Sequence, residues 1–516
     1  MLSPLDYFVI GSYLALVSAV GLWFGRGQKN TNDYFLGGRQ IPFWAAGLSI
    51  IATETSALTF IGAPVQSLRG DWTYLQLALG SVLARFAVAG ILIGAYYRAN
   101  VVTVYGFLEQ RFGPWSRNLA SFLFFVGRSL GSGVRLYGAA IALVVVADLD
   151  FPLAIALIAV VAVLYTIGGG IRAVIWTDIV QGVLLVGGAL VALWYLFSEG
   201  GFEFVEAYEK LREAKSSAGE SKLRVLNFSL DPRESYTLWA GIIGSMFLTM
   251  ATHGTDQDMI QRALTCKSEK DGRRSLWLSA VLALPVVTIF LAIGSMLWIH
   301  FGGDEGAASA AAGLAERAGE SNPEKGFDYL FPFYVVDTLP AGIRGLIVAA
   351  IFAAAMSSLD SAITALAATG VTSLWKPYLA PGRNEAYYLK VSRWMSIFFG
   401  LLLSAVAFFV WLSQGSGGER EGFGVLMLGL KVLTWIFPPL LGVFLVGVLT
   451  KRGRDLGNVV ALLGGISGLL FVEFWSSFFS SAPPFAWTWN SLLGCAFAFA
   501  VAAAFPADPR RPPLEH

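Results

Sequence analysis

The chain has 516 residues, of which 56% are hydrophobic and only 14% are charged, whereas soluble domains carry about 25% charged residues. Its formal net charge of +1 gives no indication of a nucleic-acid partner. Cys266 lies in a charged stretch and Cys495 in an apolar one, so the two cysteines predict neither a disulfide framework nor a thiolate metal site. The composition therefore argues against a soluble globular domain and predicts an integral membrane protein.

Apolar stretches of about 20 residues, the length that a helix needs to cross a bilayer, follow one another along the chain. They predict an all-α fold in a single membrane domain over residues 1–516, with about thirteen transmembrane helices. The predicted spans are 5–24, 42–66, 72–97, 118–147, 152–169, 174–197, 237–262, 275–300, 338–372, 388–413, 424–450, 456–479 and 485–505. The loop 198–236 is expected to carry a short surface helix, and the loop 303–326 a short helix or a mobile segment.

Lys and Arg lie mainly in alternate short loops, and this distribution sets the orientation of a multi-pass chain. If the N-terminus is outside, the short outer loops contain only Arg69 and Arg420, and the short inner loops contain basic runs such as 262–274. We therefore predict a multi-pass protein of the plasma membrane, the inner membrane in a bacterium, with the N-terminus outside and the C-terminus inside.

Two predicted spans contain polar residues near the middle. The span 42–66 contains 53–56 (TETS), and the span 237–262 contains 252–256 (THGTD). Non-helical backbone is tolerated at membrane depth only where protein or a water-filled cavity satisfies it. Broken helices in corresponding positions of two halves indicate the binding site of a transporter. The pair of interrupted spans therefore favours a transporter of a small solute.

The positions of the interrupted spans also predict how the domain is organised. Each opens a set of five spans, which gives a first repeat over 42–197 and a second repeat over 237–450, with opposite orientations. A leading helix at 5–24 precedes the repeats, and two trailing helices within 456–505 follow them.

Four segments carry a resemblance to a known family. The segment 168–181 (GGGIRAVIWTDIVQ) closely resembles the signature of the sodium/solute symporter family, which contains sodium–glucose, sodium–iodide, sodium–proline and sodium–sialic acid transporters. The segments 32–39 (NDYFLGGR), 255–262 (TDQDMIQR) and 353–361 (AAAMSSLDS) are similar to further family motifs in the same order. The resemblance spans roughly residues 5–450, and it implies a LeuT-like inverted-repeat fold that couples Na⁺ to solute uptake.

Hydroxyl residues in the last of these segments suit a sodium ion. Na⁺ is a hard cation that prefers oxygen ligands, and Ser357, Ser358 and Ser361 lie within two turns of one predicted helix. The alternative is that small hydroxyl residues only allow helices to approach closely. The family resemblance implies a main sodium site with five ligands, namely the carbonyls of Ala52, Thr55 and Ala354 and the hydroxyls of Ser357 and Ser358.

A second sodium site is implied by the same resemblance. It would consist of Asp178, Ser357, Asp360 and Ser361, although family members usually have Ser or Thr where this chain has Asp360. A carboxylate inside the membrane is a functional candidate by default. The alternative is that Asp360 forms an ion pair with a cation such as Arg172.

Candidate solute contacts follow from the expectation that the solute lies between the two broken helices. They are polar or cationic residues on those helices and on the helices next to them: Thr59, Gln76, Ser81, Arg128, Arg135, Thr249 and His253. His253 is equally compatible with a purely structural role, in which it bonds backbone groups at the break.

Arg128 and Arg135 are the sharpest of these candidates. They are seven residues apart and share one helix face, and a guanidinium matches a carboxylate bidentately. Sialic acid transporters of the family likewise use an Arg on this helix for the substrate carboxylate. The alternative is an internal salt bridge, for example to Glu54.

The sequence as a whole predicts a sodium-coupled symporter that imports a small organic anion, such as a monocarboxylate, a vitamin-like acid or a sugar acid. A surplus of apparent buried cations favours an anion: the cations are Arg85, Arg128, Arg135 and Lys431, and the clear buried acids are Glu54, Asp178 and Asp360, with Glu473 as a further candidate. The alternatives are a symporter of a neutral sugar or polyol and a solute sensor on the same fold, which the lack of an output domain disfavours. No metal motif, nucleophile–base pair or phosphate loop indicates an enzyme.

Overall fold

The structure is a computed structural model that describes residues 2–147, 149–201, 203–216, 219–317, 322–415, 425–479 and 485–509. Over these residues the chain forms 21 α-helices and no β-sheet. Arg420, which contributes to the predicted orientation, lies outside the described residues.

The helices of the first part of the chain are α1 (Pro4–Phe24), α2 (Thr31–Leu36), α3 (Phe43–Glu54), α4 (Ala57–Arg69), α5 (Leu75–Ile91), α6 (Ile93–Arg98), α7 (Val104–Arg111), α8 (Pro114–Ala147), α9 (Phe151–Gly200) and α10 (Phe204–Glu213). The next group contains α11 (Ser245–Thr255), α12 (Gln257–Leu264), α13 (Glu269–His300), α14 (Asp304–Arg317), α15 (Phe327–Thr338), α16 (Ile343–Thr369), α17 (Glu385–Gly415) and α18 (Val425–Leu449). The last three are α19 (Asp455–Glu473), α20 (Trp475–Phe478) and α21 (Asn490–Ala504). The short helices expected in the loops 198–236 and 303–326 are α10 and α14.

Helix α16 forms the centre of the bundle. Every residue from Ile347 to Thr369 is buried, and the helix packs against α1, α8, α9 and α17. Its sequence is rich in Ala and Ser, whose small side chains let neighbouring helices approach closely. A helix without an exposed face can place hydroxyl groups against several neighbours at once.

The start of α16 is fixed to α1 through one carboxylate. Ser3 caps α1 by accepting the N–H of Asp6 at 3.3 Å, and the Asp6 carboxylate accepts the N–H of Ser3 at 2.8 Å, which is a capping box. The other oxygen of Asp6 accepts the N–H groups of Gly342 and Gly345, both at 2.8 Å. These N–H groups have no partner within their own helix. The carboxylate of Asp6 therefore accepts backbone N–H groups at the starts of both α1 and α16.

Two of the predicted spans form one 50-residue helix, α9, with a kink at Gly170. Gly170 has φ 52° and ψ −154°, a backbone conformation that is essentially restricted to glycine. A Cβ atom at this position would lie 2.4 Å from the carbonyl oxygen of Tyr34. Gly170, within the glycine-rich signature segment, is therefore required for the close approach of α2 to α9.

Both interrupted spans are broken helices in the structure. Helix α3 ends at Glu54, Ser56 is extended with ψ 174°, and α4 continues at an angle of 62° to α3. The second break lies at Asp256 (φ −82°, ψ 119°), whose side chain accepts the N–H of Asp258 at 2.9 Å and caps α12. Each break thus exposes helix ends whose backbone groups need other partners.

By length and composition, eight helices of the described part of the chain could cross a membrane, or nine if the bent pair α3–α4 counts as one span. Helix α9 alone covers two predicted spans. Helix α8 corresponds to the predicted span 118–147, which contains the charged residues Arg128 and Arg135. The total of about thirteen spans and the orientation remain predictions.

Candidate functional site

A cavity of about 190 Å³ lies between the two broken helices. The break after α3, together with α4, α5, α8, α11, α13 and α18, contributes to its wall. Of the seven predicted solute contacts, six line it: Thr59, Ser81, Arg128, Arg135, Thr249 and His253. The volume suits a small solute.

Gln76 is the exception, because it does not line the cavity. Its amide nitrogen donates to the carbonyls of Thr73 and Tyr236, both at 3.1 Å, and its amide oxygen accepts the N–H of Asn227 at 3.2 Å. The side chain is fully buried and holds the segment before α11 against α5. It has no group directed at a solute in this structure.

A charged cluster at the first break includes Glu54. Its carboxylate forms a salt bridge with Arg85, and Arg85 also donates to the carbonyl of Ser279 at 3.1 Å. The Nε2 atom of His253 lies 3.9 Å from the same carboxylate, and its Nδ1 atom lies 3.2 Å from the hydroxyl of Thr252. Glu54 is thus occupied by Arg85, and the salt bridge considered for Arg128 or Arg135 with Glu54 is absent.

Arg128 is held by two acids at the second break. Its guanidinium donates to the Asp256 carboxylate at 3.0 Å and forms a second salt bridge with Asp258. All three side chains are almost completely buried. Arg128 therefore forms an internal salt bridge, as the alternative predicted, but its partners are Asp256 and Asp258 instead of Glu54.

Arg135 lies two helical turns after Arg128 on the same face of α8, and it has no such partner among the described residues. Its guanidinium lines the cavity, and its Nη1 atom is buried without a hydrogen-bond partner among the described residues. No salt bridge of Arg135 is found in that part of the chain either. Among the cavity-lining charges, Glu54 and Arg128 are paired and Arg135 is left over.

The predicted list of buried charges is incomplete. Asp256 and Asp258 at the second break are fully buried acids, and Arg262 is a fully buried cation. From the sequence, Asp256 is predicted only as part of the second break, and Arg262 as part of a basic inner loop. The acids of the second break thus pair with Arg128 and Arg262, whereas Arg135 at the cavity wall has no ion pair in the described part of the chain.

The residues of the predicted main sodium site largely meet between α3 and α16. The hydroxyl of Ser357 donates to the carbonyls of Ala52 at 3.1 Å and of Ala354 at 3.3 Å. The hydroxyl of Ser358 donates to the carbonyl of Thr53 at 3.3 Å. Thr55 follows the last residue of α3, where carbonyls lack helical partners. Neutral oxygens at a helix C-terminus suit a monovalent cation.

The guanidinium of Arg262 lies among the residues of the predicted second sodium site. The Asp178 carboxylate accepts hydrogen bonds from Ser49 at 2.5 Å, Thr53 at 3.3 Å and Arg262 at 3.1 Å. Arg262 also donates to the hydroxyl of Ser361. The second oxygen of Asp178 is buried without a hydrogen-bond partner among the described residues. Asp178 and Ser361 therefore lie together, with Arg262 between them.

Asp360 borders this group, because its carboxylate accepts the hydroxyl of Ser361 at 3.3 Å. Its carboxylate accepts the hydroxyl of Tyr165 at 2.5 Å, so the partner considered for it, Arg172, is replaced by a phenol. Asp360 is fully buried on α16 beside Ser361.

Comparisons with known proteins agree with the resemblance. The model of the sodium:solute symporter family matches residues 34–468. The chain belongs to this family. The sodium/sialic acid symporter NanT of Aliivibrio fischeri is 29% identical over 479 residues, which are 91% of this chain and 88% of that protein. The human sodium-coupled monocarboxylate transporter 1 is 28% identical over 93% of this chain and 74% of its own length.

A solved structure of a Na⁺-coupled sialic acid symporter, in a substrate-bound, outward-open state and described as revealing a novel Na⁺ site, has a TM-score of 0.83. It is 25% identical and is matched over 98% of this chain and 99% of that one. This chain is a multi-pass membrane protein with the LeuT-like fold, and it is a sodium-coupled solute symporter rather than an enzyme.

Proposed function

We propose that the protein imports a small organic anion together with Na⁺ across a bacterial inner membrane. In this proposal the N-terminus is outside, and the repeats 42–197 and 237–450 form a transport core around the cavity. The coupling ions enter with the solute down the sodium gradient.

The observation that carries the anion proposal is the unpaired guanidinium of Arg135 at the cavity wall. The Arg135 side chain is partly buried and its Nη1 atom fully so. A buried charged group is costly unless it is paired, and a carboxylate is the geometric match for a guanidinium. The charges of Glu54 and Arg128 are already compensated by Arg85, Asp256 and Asp258. A solute carboxylate would therefore give Arg135 the ion-pair partner that it lacks among the described residues.

The names of relatives support this proposal. NanT of Aliivibrio fischeri is described as a sialic acid symporter and the human relative as a monocarboxylate transporter, and both solutes are carboxylates. The chain matches each of them over about nine-tenths of its length.

We propose that one Na⁺ binds between α3 and α16, with the carbonyls of Ala52, Thr55 and Ala354 and the hydroxyls of Ser357 and Ser358 as ligands. The contacts of the Ser357 hydroxyl with the carbonyls of Ala52 at 3.1 Å and Ala354 at 3.3 Å support this set. The Ser358 hydroxyl contacts the carbonyl of Thr53 at 3.3 Å, next to these ligands in α3. A second Na⁺ would bind at Asp178 with Ser361, Ser357 and Asp360. The unpartnered oxygen of Asp178 supports the second site.

Uptake into proteoliposomes tests the proposal. Pairs of solutes that differ only in charge, such as lactate with lactamide and N-acetylneuraminate with its methyl ester, would be offered with an inward Na⁺ gradient or with K⁺ replacing Na⁺. We expect Na⁺-dependent uptake of at least one carboxylate and little uptake of its neutral analogue. Na⁺-dependent uptake that favours the neutral members, or a neutral sugar, would contradict the anion proposal. Binding without counterflow would favour the sensor alternative.

A further inference from the structure

A short turn outside the two repeats reaches the cavity. Trp487–Trp489 form a 3₁₀ turn immediately before α21, and both Trp487 and Thr488 line the cavity wall. From the sequence, this part of the chain belongs to the predicted trailing helices, and no solute contact is predicted in it. The segment before α21 thus forms part of the cavity wall, in addition to the helices of the two predicted repeats.

The turn is fixed closely against the segment that leads into α11. A Cβ atom at Gly244 would lie 2.5 Å from the carbonyl oxygen of Thr488, so this approach requires glycine. On the other side, the N–H of Ala486 donates to the carbonyl of Pro232 at 2.8 Å. The positions of Trp487 and Thr488 are therefore defined by packing on both sides.

The polar atoms of these two side chains are unpaired. The indole Nε1 of Trp487 and the hydroxyl of Thr488 are buried and have no hydrogen-bond partner among the described residues. Thr488 is only 2% exposed. Buried polar groups are almost always hydrogen-bonded, and exceptions need an explanation. Because both residues line the cavity, a bound solute is the partner that their position offers.

We infer that Trp487 and Thr488 recognise an oxygen-bearing group of the solute, in addition to the carboxylate expected at Arg135. An indole N–H can only donate, whereas a hydroxyl can donate and accept. A solute hydroxyl satisfies both at once, because it accepts from Trp487 and donates to Thr488. This inference rests on the proposed function and narrows it to hydroxy acids, keto acids and sugar acids, as opposed to simple alkyl carboxylates.

The test uses carboxylates that differ in one respect. The affinity of the full-length purified protein for lactate, propionate, gluconate and hexanoate is measured in Na⁺ by thermal-shift titration. We expect the oxygenated member of at least one pair, lactate over propionate or gluconate over hexanoate, to bind roughly tenfold more tightly. Trp487→Phe and Thr488→Val should each reduce this ratio about fivefold, through a larger loss of affinity for lactate or gluconate than for propionate or hexanoate.

Trp489→Phe is the matched control. Its indole N–H is also buried and unpaired, but Trp489 is not among the residues that line the cavity, so the ratio should stay as in the wild type. Gly244→Ala is a second way to displace the turn, and it should lower the same ratio while thermal unfolding without solute shows whether the protein remains folded.

The outcomes separate the inference from the proposed function. If the wild type binds alkyl and oxygenated carboxylates equally, or if both turn variants keep the wild-type ratio, the inference is wrong and the anion proposal stands. If the wild type binds neither the four carboxylates nor N-acetylneuraminate in Na⁺, or binds the neutral analogues lactamide and N-acetylneuraminate methyl ester more tightly than the carboxylates, the proposed function fails and the inference fails with it.

Discussion

Removing the guanidinium of Arg135 should abolish anion recognition without destabilising the protein. When one member of a buried charged pair is removed, the loss is about 2–5 kcal/mol, which corresponds to roughly 30- to 5,000-fold in Kd. In the solute-free structure Arg135 has no hydrogen-bond or salt-bridge partner among the described residues, so Arg135→Ala leaves no acid unpaired. We therefore expect a large loss of affinity for a carboxylate and an unchanged or higher unfolding temperature.

Arg128 provides the contrast, because it lies on the same helix face but is paired. Arg128→Ala leaves Asp256 and Asp258 buried without this partner, and breaking a buried ion pair costs about 3–5 kcal/mol. The variant should therefore unfold at a markedly lower temperature in the absence of any solute. The opposite pattern in the two variants is what distinguishes a solute-binding cation from a structural one.

The assay is equilibrium binding of a transported carboxylate and its amide in Na⁺, combined with thermal unfolding of the solute-free protein. Arg135→Lys keeps the charge but loses the bidentate geometry, so it should restore only part of the affinity. An Arg135→Ala protein that is strongly destabilised, or that binds the carboxylate as tightly as the wild type, would refute the reasoning.

Three further results are expected. Replacing Ser357 and Ser358 together by Ala should abolish Na⁺-driven uptake, because methyl groups cannot replace oxygen ligands; unchanged Na⁺-driven uptake would remove the proposed main site. Asp178→Ala should reduce the Na⁺:solute ratio from two to one in reversal-potential measurements, and a wild-type ratio of one would exclude a second coupling ion. Gly170→Ala should lower stability by about 1–3 kcal/mol, seen as a lower unfolding temperature, since its Cβ would meet a carbonyl oxygen at 2.4 Å. Gly187→Ala on the same helix is the control, because nothing lies within 4 Å of its Cβ position.

The breaks in α3–α4 and α11–α12 could be predicted because polar residues interrupt apolar runs, and such a local pattern is visible in the sequence. The hydroxyl residues Ser357 and Ser358 could be placed for a similar reason, since they share a helix with a family motif. The pairing of Arg85 with Glu54 could not be predicted, because it joins residues 31 positions apart through packing of separate helices.

The end of the predicted span 237–262 is a place where the sequence-based prediction is wrong. Arg262 was assigned to a basic inner loop, yet its side chain is fully buried beside Asp178. A usable signal was present, because Asp258 and Arg262 are four residues apart, the spacing of ion pairs on one helix face. Trp487 and Thr488 offered no such signal, since only the tertiary packing of the last helix brings them to the cavity.

The buried charges form a connected series between the cavity and the proposed second sodium site. Arg128 at the cavity wall contacts Asp258, Asp258 contacts Arg262, and Arg262 contacts Asp178. Two like charges 4 Å apart repel by about 4 kcal/mol at an effective dielectric constant of 20, so a Na⁺ ion beside Asp178 weakens the contact that Arg262 makes there. Any shift of Arg262 changes the balance at Asp258, which also holds Arg128. The sodium stoichiometry of the Asp178 variant and the stability of the Arg128 variant therefore report on one network, whose members belong to α8, α9 and α12.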